Sequence, residues 1–172
     1  MAGKLLQVAT STVSSPVASV TLTGIDSDDV YMVTYNGVYP ETADNAIVMR
    51  FTTSGTADTS SNYSNSFERI RTGTDNSSAN ANIDYHHTTY NNGDSAGDET
   101  QNWIAYLYNF NNSSGHSYFT SNSVGWYAQT TEALVGAQGG GTQTKNQACD
   151  GVQFYAYSGN IRAGTFTLYK VI

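Results

Sequence analysis

Little of this chain is charged, and cysteine and proline are nearly missing; each shortage removes a class of protein. Of 172 residues, one is Cys, two are Pro, seven are Lys or Arg and fourteen are Asp or Glu. The lone Cys149 cannot close an intrachain disulfide, so no oxidised framework holds the fold. We read it as a small buried hydrophobe. Basic residues are too few and too scattered to displace counterions from a phosphate backbone, and a net charge of −7 repels one, which argues against a nucleic-acid partner. No run approaches the ~18 apolar residues of a bilayer span, so no membrane partner is expected. The opening Met1-Ala2-Gly3-Lys4-Leu5-Leu6 lacks the extended apolar core of a secretory signal. Helical periodicity is also hard to find.

What is present is aromatic and neutral-polar. Thirteen Tyr, six Phe and two Trp supply large side chains to pack, which low-hydrophobicity disordered chains lack. Alternation with period two recurs in Ser19–Thr23, Val30–Tyr35, Ala46–Thr52, Ser66–Arg71, Trp103–Phe110, Ser117–Thr120, Gly125–Ala128, Val152–Tyr157 and Thr165–Tyr169, with a weaker segment at Leu134–Ala137. Turn clusters divide them: Asn36-Gly37, Ser54-Gly55, Asn91-Asn92-Gly93-Asp94 and Ser158-Gly159-Asn160. The pattern predicts an all-β, antiparallel double-sheet, jelly-roll-like sandwich with about eight main strands. A single domain over residues 1–172 is expected, with 1–18 as an N-terminal arm or first strand. Residues 73–101, rich in Asn, Asp, Ser and Gly, read as a long polar loop with one short strand near Ile83–His86. Gly139-Gly140-Gly141 reads as a flexible connection.

Chemistry-bearing motifs are sparse. His86 and His87 are adjacent, so on a strand they point to opposite faces and do not share a metal; His116 stands apart in its own turn. Asp26-Ser27-Asp28-Asp29 and the cluster from Asp94 to Glu99 offer carboxylates without the spacing of a calcium loop, and Asx turns account for them. Arg69 and Arg71 read as a solvated stripe on one strand face. No nucleophile elbow, metalloprotease signature or phosphate loop occurs. With Glu99 and Glu132 as the only glutamates in the second half of the chain, a paired-carboxylate glycosidase is a weak idea. We therefore expect no enzyme, no cofactor and no metal. The aromatic strand is the richest feature. Ile104, Tyr106, Tyr108 and Phe110 alternate with Trp103, Ala105 and Leu107, so both faces are large and apolar. That suggests a strand buried in the core on one side and against a neighbouring subunit on the other, with Trp103, Tyr106, Tyr108 and Phe110 as core or interface residues. A core strand with its Tyr hydroxyls at the rim is the alternative.

Two flanks of the chain carry a resemblance. Val20-Thr21-Leu22-Thr23-Gly24-Ile25-Asp26, continuing through Val30-Tyr31-Met32 to Tyr39-Pro40, resembles the opening of small virion proteins of tailed phages of aquatic bacteria. Thr42-Ala43-Asp44-Asn45 is in keeping with it. Gly151-Val152-Gln153-Phe154, Ser158-Gly159-Asn160-Ile161 and Gly164–Tyr169 resemble their closing pair of strands. The resemblance implies a jelly-roll virion structural protein, often a homotrimer, made in the host cytoplasm and placed on the outer surface of the head or on the tail. A capsid decoration or cement protein, with copies of itself and the major capsid protein as partners, is the leading expectation. The receptor- or glycan-binding head of a tail fibre or spike is the alternative. In that alternative, glycan contacts come from residues 76–101 or from Asn111-Asn112-Ser113.

Overall fold

Burial follows the period-two pattern where the sequence shows it best: along Ser19–Thr23, Val20 and Leu22 are buried while Ser19, Thr21 and Thr23 are exposed. The structure is a computed structural model that describes residues 3–71, 74–89, 100–127 and 133–172. Among these residues there is no helix, and thirteen strands run in the order β1 (Leu5–Val13), β2 (Ser19–Thr23), β3 (Tyr31–Pro40), β4 (Ile47–Thr53), β5 (Thr56–Ala57), β6 (Tyr63–Arg71), β7 (Thr74–Ile83), β8 (His86–His87), β9 (Gln101–Tyr108), β10 (Ser117–Tyr127), β11 (Ala133–Gln143), β12 (Gly151–Ala156) and β13 (Ile161–Val171). They form two antiparallel sheets. The larger has eight strands in the order β1-β13-β3-β9-β10-β11-β6-β7. The smaller has five, β2-β12-β4-β5, with β8 also pairing β4. The chain is thus an all-β sandwich, as the alternation predicts.

Aromatic side chains close the space between the sheets. Tyr35 of β3 stacks on Trp103 of β9 at 5.5 Å and meets Phe154 of β12, in the opposite sheet, edge-on at 5.8 Å. Phe51 of β4 contacts Tyr63 at 5.7 Å and Phe110 at 4.4 Å. Fully burying one such ring stabilises by about 1.5–3 kcal/mol, and truncating Phe154 to Ala would cost about 3–5 kcal/mol. Buried hydroxyls find partners. Thr88 donates to the Ile47 carbonyl at 2.6 Å and lies 2.9 Å from the Tyr35 hydroxyl. Tyr63 accepts from the Phe51 amide at 3.2 Å and donates to the Asp58 carbonyl at 2.8 Å.

Three expectations are corrected. Residues 74–83 form a ten-residue edge strand paired to β6, and His86–His87 pair with β4, so much of the expected 73–101 loop is sheet. Residues 90–99 of that span, with the acidic cluster from Asp94, lie outside the described residues, as does Glu132. Gly139-Gly140-Gly141 is the middle of β11, an eleven-residue strand, and no connection at all. Asn36-Gly37 is a bulge inside β3 between Tyr35 and Val38, where Gly37 takes φ 61°, and the strand continues past it. Ser54-Gly55 does make a tight hairpin turn, both residues having positive φ (52° and 72°).

An eight-stranded sheet facing a five-stranded one leaves an overhang. The inner face of β11, β6 and β7 extends past β8, the short outermost strand on that side of the smaller sheet. Residues there are small: Gly139 and Ala137 of β11 sit in register with Ser121 and Ser123 of β10.

Candidate functional site

Two surfaces of the large sheet stand out, one on each face. On the outer face, cross-strand partners share a side, so register assigns the residues. Tyr106 lies beside Met32 and Thr120, Tyr108 beside Tyr118, Ile104 beside Thr34 and Asn122, and Asn102 beside Val124. Tyr169 continues the row beyond Met32, while Trp126 and Leu134 extend it on β10 and β11. Tyr106, Tyr118, Val124 and Leu134 are 40%, 47%, 45% and 54% exposed. On β1, β13, β3, β9, β10 and β11 no outward-facing position in register holds Asp, Glu, Lys or Arg. The first is Glu68 on β6. Arg162 is exposed at the bulged start of β13, outside this register; in a chain with seven cationic and fourteen anionic residues, the neutral remainder of six strands sets this face apart. A shallow groove of about 420 Å³ crosses it by Asn36, Asn102, Asn122 and Val124.

The expected aromatic strand therefore divides. Tyr106 and Tyr108 face outward, and the Tyr108 hydroxyl lies 3.2 Å from that of Thr120. Trp103 is buried on the inner face, as expected for the opposite side of β9, and its indole nitrogen has no hydrogen-bond partner among the described residues. Phe110 is a correction. It is fully buried in the core, away from Tyr106 and Tyr108, because Asn109 adopts φ 58° and ends the strand's alternation before it. Sequence reasoning missed Met32, Tyr118, Val124 and Leu134, which reach this face only through strand order.

The inner-face site is a cleft of about 170 Å³ under the overhang. Phe67 and Arg69 of β6, Asn76 and Ser78 of β7, Ala137 of β11 and His87 line it. Arg69 and Arg71 are half-buried on the inner side of β6, whereas Ile70 between them is 60% exposed. That reverses the expected solvated arginine stripe, because Tyr63 and Asn65 anchor the same face in the interior. Burial holds the His87 imidazole below its ordinary pKa, and its Nδ1 is buried with no partner among the described residues.

The remaining candidates are structurally occupied. Lys170 Nζ sits 2.8 Å from Asp29 and 3.7 Å from Asp26, whose carboxylate also accepts from Tyr31 at 2.8 Å. The Tyr31 hydroxyl, then Lys170, pulls Asp26 below the usual carboxylate range. Asn109 donates to the His116 carbonyl at 2.7 Å and Asn112 to Asn109 Oδ1 at 2.8 Å within their turn, while Asn111 donates to the Ile25 carbonyl at 3.3 Å in the connection between β2 and β3. No group of three or more His, Cys, Asp or Glu that could hold a metal occurs among the described residues. His86 and His87 leave β8 on opposite sides, with His86 fully buried. No family model matches the chain, and comparison with curated proteins and with solved structures finds no match.

Proposed function

We propose that the protein is a virion structural protein, a decoration or cement protein that associates with itself as a homotrimer and binds the outer capsid surface through the large sheet. One observation carries this: along the regular register of six adjacent strands the outer face bears exposed tyrosines and aliphatic side chains and no charged residue, the exposed Arg162 standing at the bulged start of β13, in a chain of net charge −7. Acidic molecules repel one another broadly, so a neutral, tyrosine-bearing face is where copies or a capsid subunit meet at least electrostatic cost. A stable contact needs about 800 Å² from each partner, and this sheet is wide enough to offer it.

The strand order fits the same role. Strand β12 faces β3 and β9 through Phe154, while β4 and β8 face β6 and β10 through Phe51 and His86, an arrangement we read as a widened jelly roll. A ligand that binds only the assembled shell stabilises it by RT ln(1 + [L]/Kd), and three equivalent contacts in a trimer compound weak interfaces. Labelling the chain on intact particles and counting copies by electron microscopy tests the role. Hundreds per particle are expected for decoration. A small set at the tail would support the receptor-binding alternative, and a monomer that adheres to no particle would end both.

The glycan-binding alternative keeps one specific support, the polar cleft under the overhang.

A further inference from the structure

We propose that the cleft beneath β6, β7 and β11 binds a single sugar ring, a pyranose presenting several hydroxyl groups. This inference deepens the glycan-binding alternative and rests on it, independently of the assembly role.

The cleft originates in the glycine run. A Cβ at Gly139 would overlap the Phe67 ring and the Ser66 carbonyl, so only glycine lets that ring settle against the β11 backbone. Ala137, one step along the same face, adds little bulk above it. From the other side β8 stops after two residues. The Thr88 and Thr89 hydroxyls that follow are taken up by Ile47, Tyr35 and Gln101. The interior is left open at this point, where elsewhere the two sheets interdigitate.

Its walls divide by chemistry. Phe67 and Ala137 form an apolar floor, suited to the C–H face of a sugar. Asn76 offers both donors and an acceptor, and Ser78 a hydroxyl that serves as either. Arg69 adds a guanidinium, and no carboxylate lines the space, which disfavours a cationic ligand. The volume of about 170 Å³ is close to that of a cavity of roughly 150 Å³ that takes benzene, the bulk of one ring.

Isotope-labelled protein titrated with free glucose, galactose, mannose, N-acetylglucosamine and glucuronate, each to about 50 mM, reads binding down to millimolar affinity by NMR. At least one sugar should shift resonances of Phe67, Asn76, Ser78 and His87 to saturation. Ala137→Leu, which fills the floor, should weaken that binding at least about tenfold. Ser78→Leu should do the same from the opposite wall, and an otherwise unchanged spectrum shows that each variant is folded. Failure of all five sugars to shift these residues overturns the inference. Binding that survives both substitutions also overturns it but leaves a glycan role on another surface. Silence on a broad glycan array as well would remove the glycan-binding alternative altogether.

Discussion

The imidazole of His86 meets the ring of Phe119 at 4.7 Å, deep between the sheets, and neither of its nitrogens has a hydrogen-bond partner among the described residues. Phe51 and Tyr63 close around it at 4.9 and 4.8 Å. Burial first, and the neighbouring His87 second, lower its pKa from 6.5 to about 3. The unfolded chain then binds a proton near pH 6.5 that the folded protein refuses until about pH 3, so stability falls as pH drops through this window. The expected loss is of the order of 2 kcal/mol at pH 5 relative to pH 8. Thermal melts of wild type and His86→Leu at both pH values check it: the variant should lose most of the pH dependence, the remainder coming from His87. Equal slopes in the two proteins would remove His86 as the cause.

Gly139 and Gly136 lie on the same strand but answer differently to a methyl group. At Gly139 a Cβ overlaps Phe67 and the Ser66 backbone; at Gly136 its nearest neighbour is the Ser123 carbonyl at 3.7 Å, an ordinary contact. Gly139→Ala should lower stability by about 1–3 kcal/mol through forced backbone movement. Gly136→Ala should be neutral or slightly stabilising, since it only restricts the unfolded chain. Urea midpoints of the two variants give the comparison directly.

Asp58 gathers donors from its own turn and from the distant segment 143–147. It accepts from the Ser60 amide at 2.9 Å and hydroxyl at 2.5 Å, from Lys145 and Gln147 at 3.0 Å each, and from Gln143 at 3.2 Å. Burial opposes its charge, but hydrogen bonds from Ser60, Lys145 and Gln147 outweigh it and hold the pKa down to about 2. Asp58→Ala orphans these groups and should cost about 1–3 kcal/mol at pH 7. The native contribution is present above pH 3.8 and fades as pH falls toward about 2, a window that reaches lower than that of His86. A wild-type-to-variant difference in unfolding free energy that is constant from pH 6 to pH 2 would contradict this.

Tyr106 and Tyr118 are exposed on the neutral face and should matter for association more than for folding. Tyr106→Lys with Tyr118→Lys places two like charges on the proposed contact. Sedimentation should show the oligomer dissociating, with the thermal midpoint measured at low protein concentration moved by only a few degrees. An unchanged oligomer would exclude this face as the self-contact.

Much of the sandwich was legible because Val20 and Leu22, or Phe166 and Leu168, alternate with Ser and Thr strongly enough to declare strands and their inward side. What escaped has particular causes. β7 holds no large apolar residue before Ile83, so nothing in Thr-Asp-Asn-Ser-Ser-Ala-Asn-Ala-Asn carries a period; backbone pairing to β6 makes it a strand. The glycine run looked flexible because it has no side chains, and that same lack makes room for Phe67, Phe119 and His86 against β11. Phe110 kept the right spacing but lost the right face when Asn109 turned left-handed. The outer tyrosine face and the inner cleft depend on which strands are neighbours, and a single sequence does not encode that order in any local pattern.

The backbone amide of Lys4 donates to the carbonyl of Ile172 at 2.6 Å, and that of Ile172 to the carbonyl of Lys4 at 2.9 Å. Opening and closing strands are thus clasped at one corner of the wide sheet. Any polypeptide attached at either extremity leaves from that single corner, at the opposite edge of the sheet from β6 and β7, so an appended reporter would leave the cleft unobstructed.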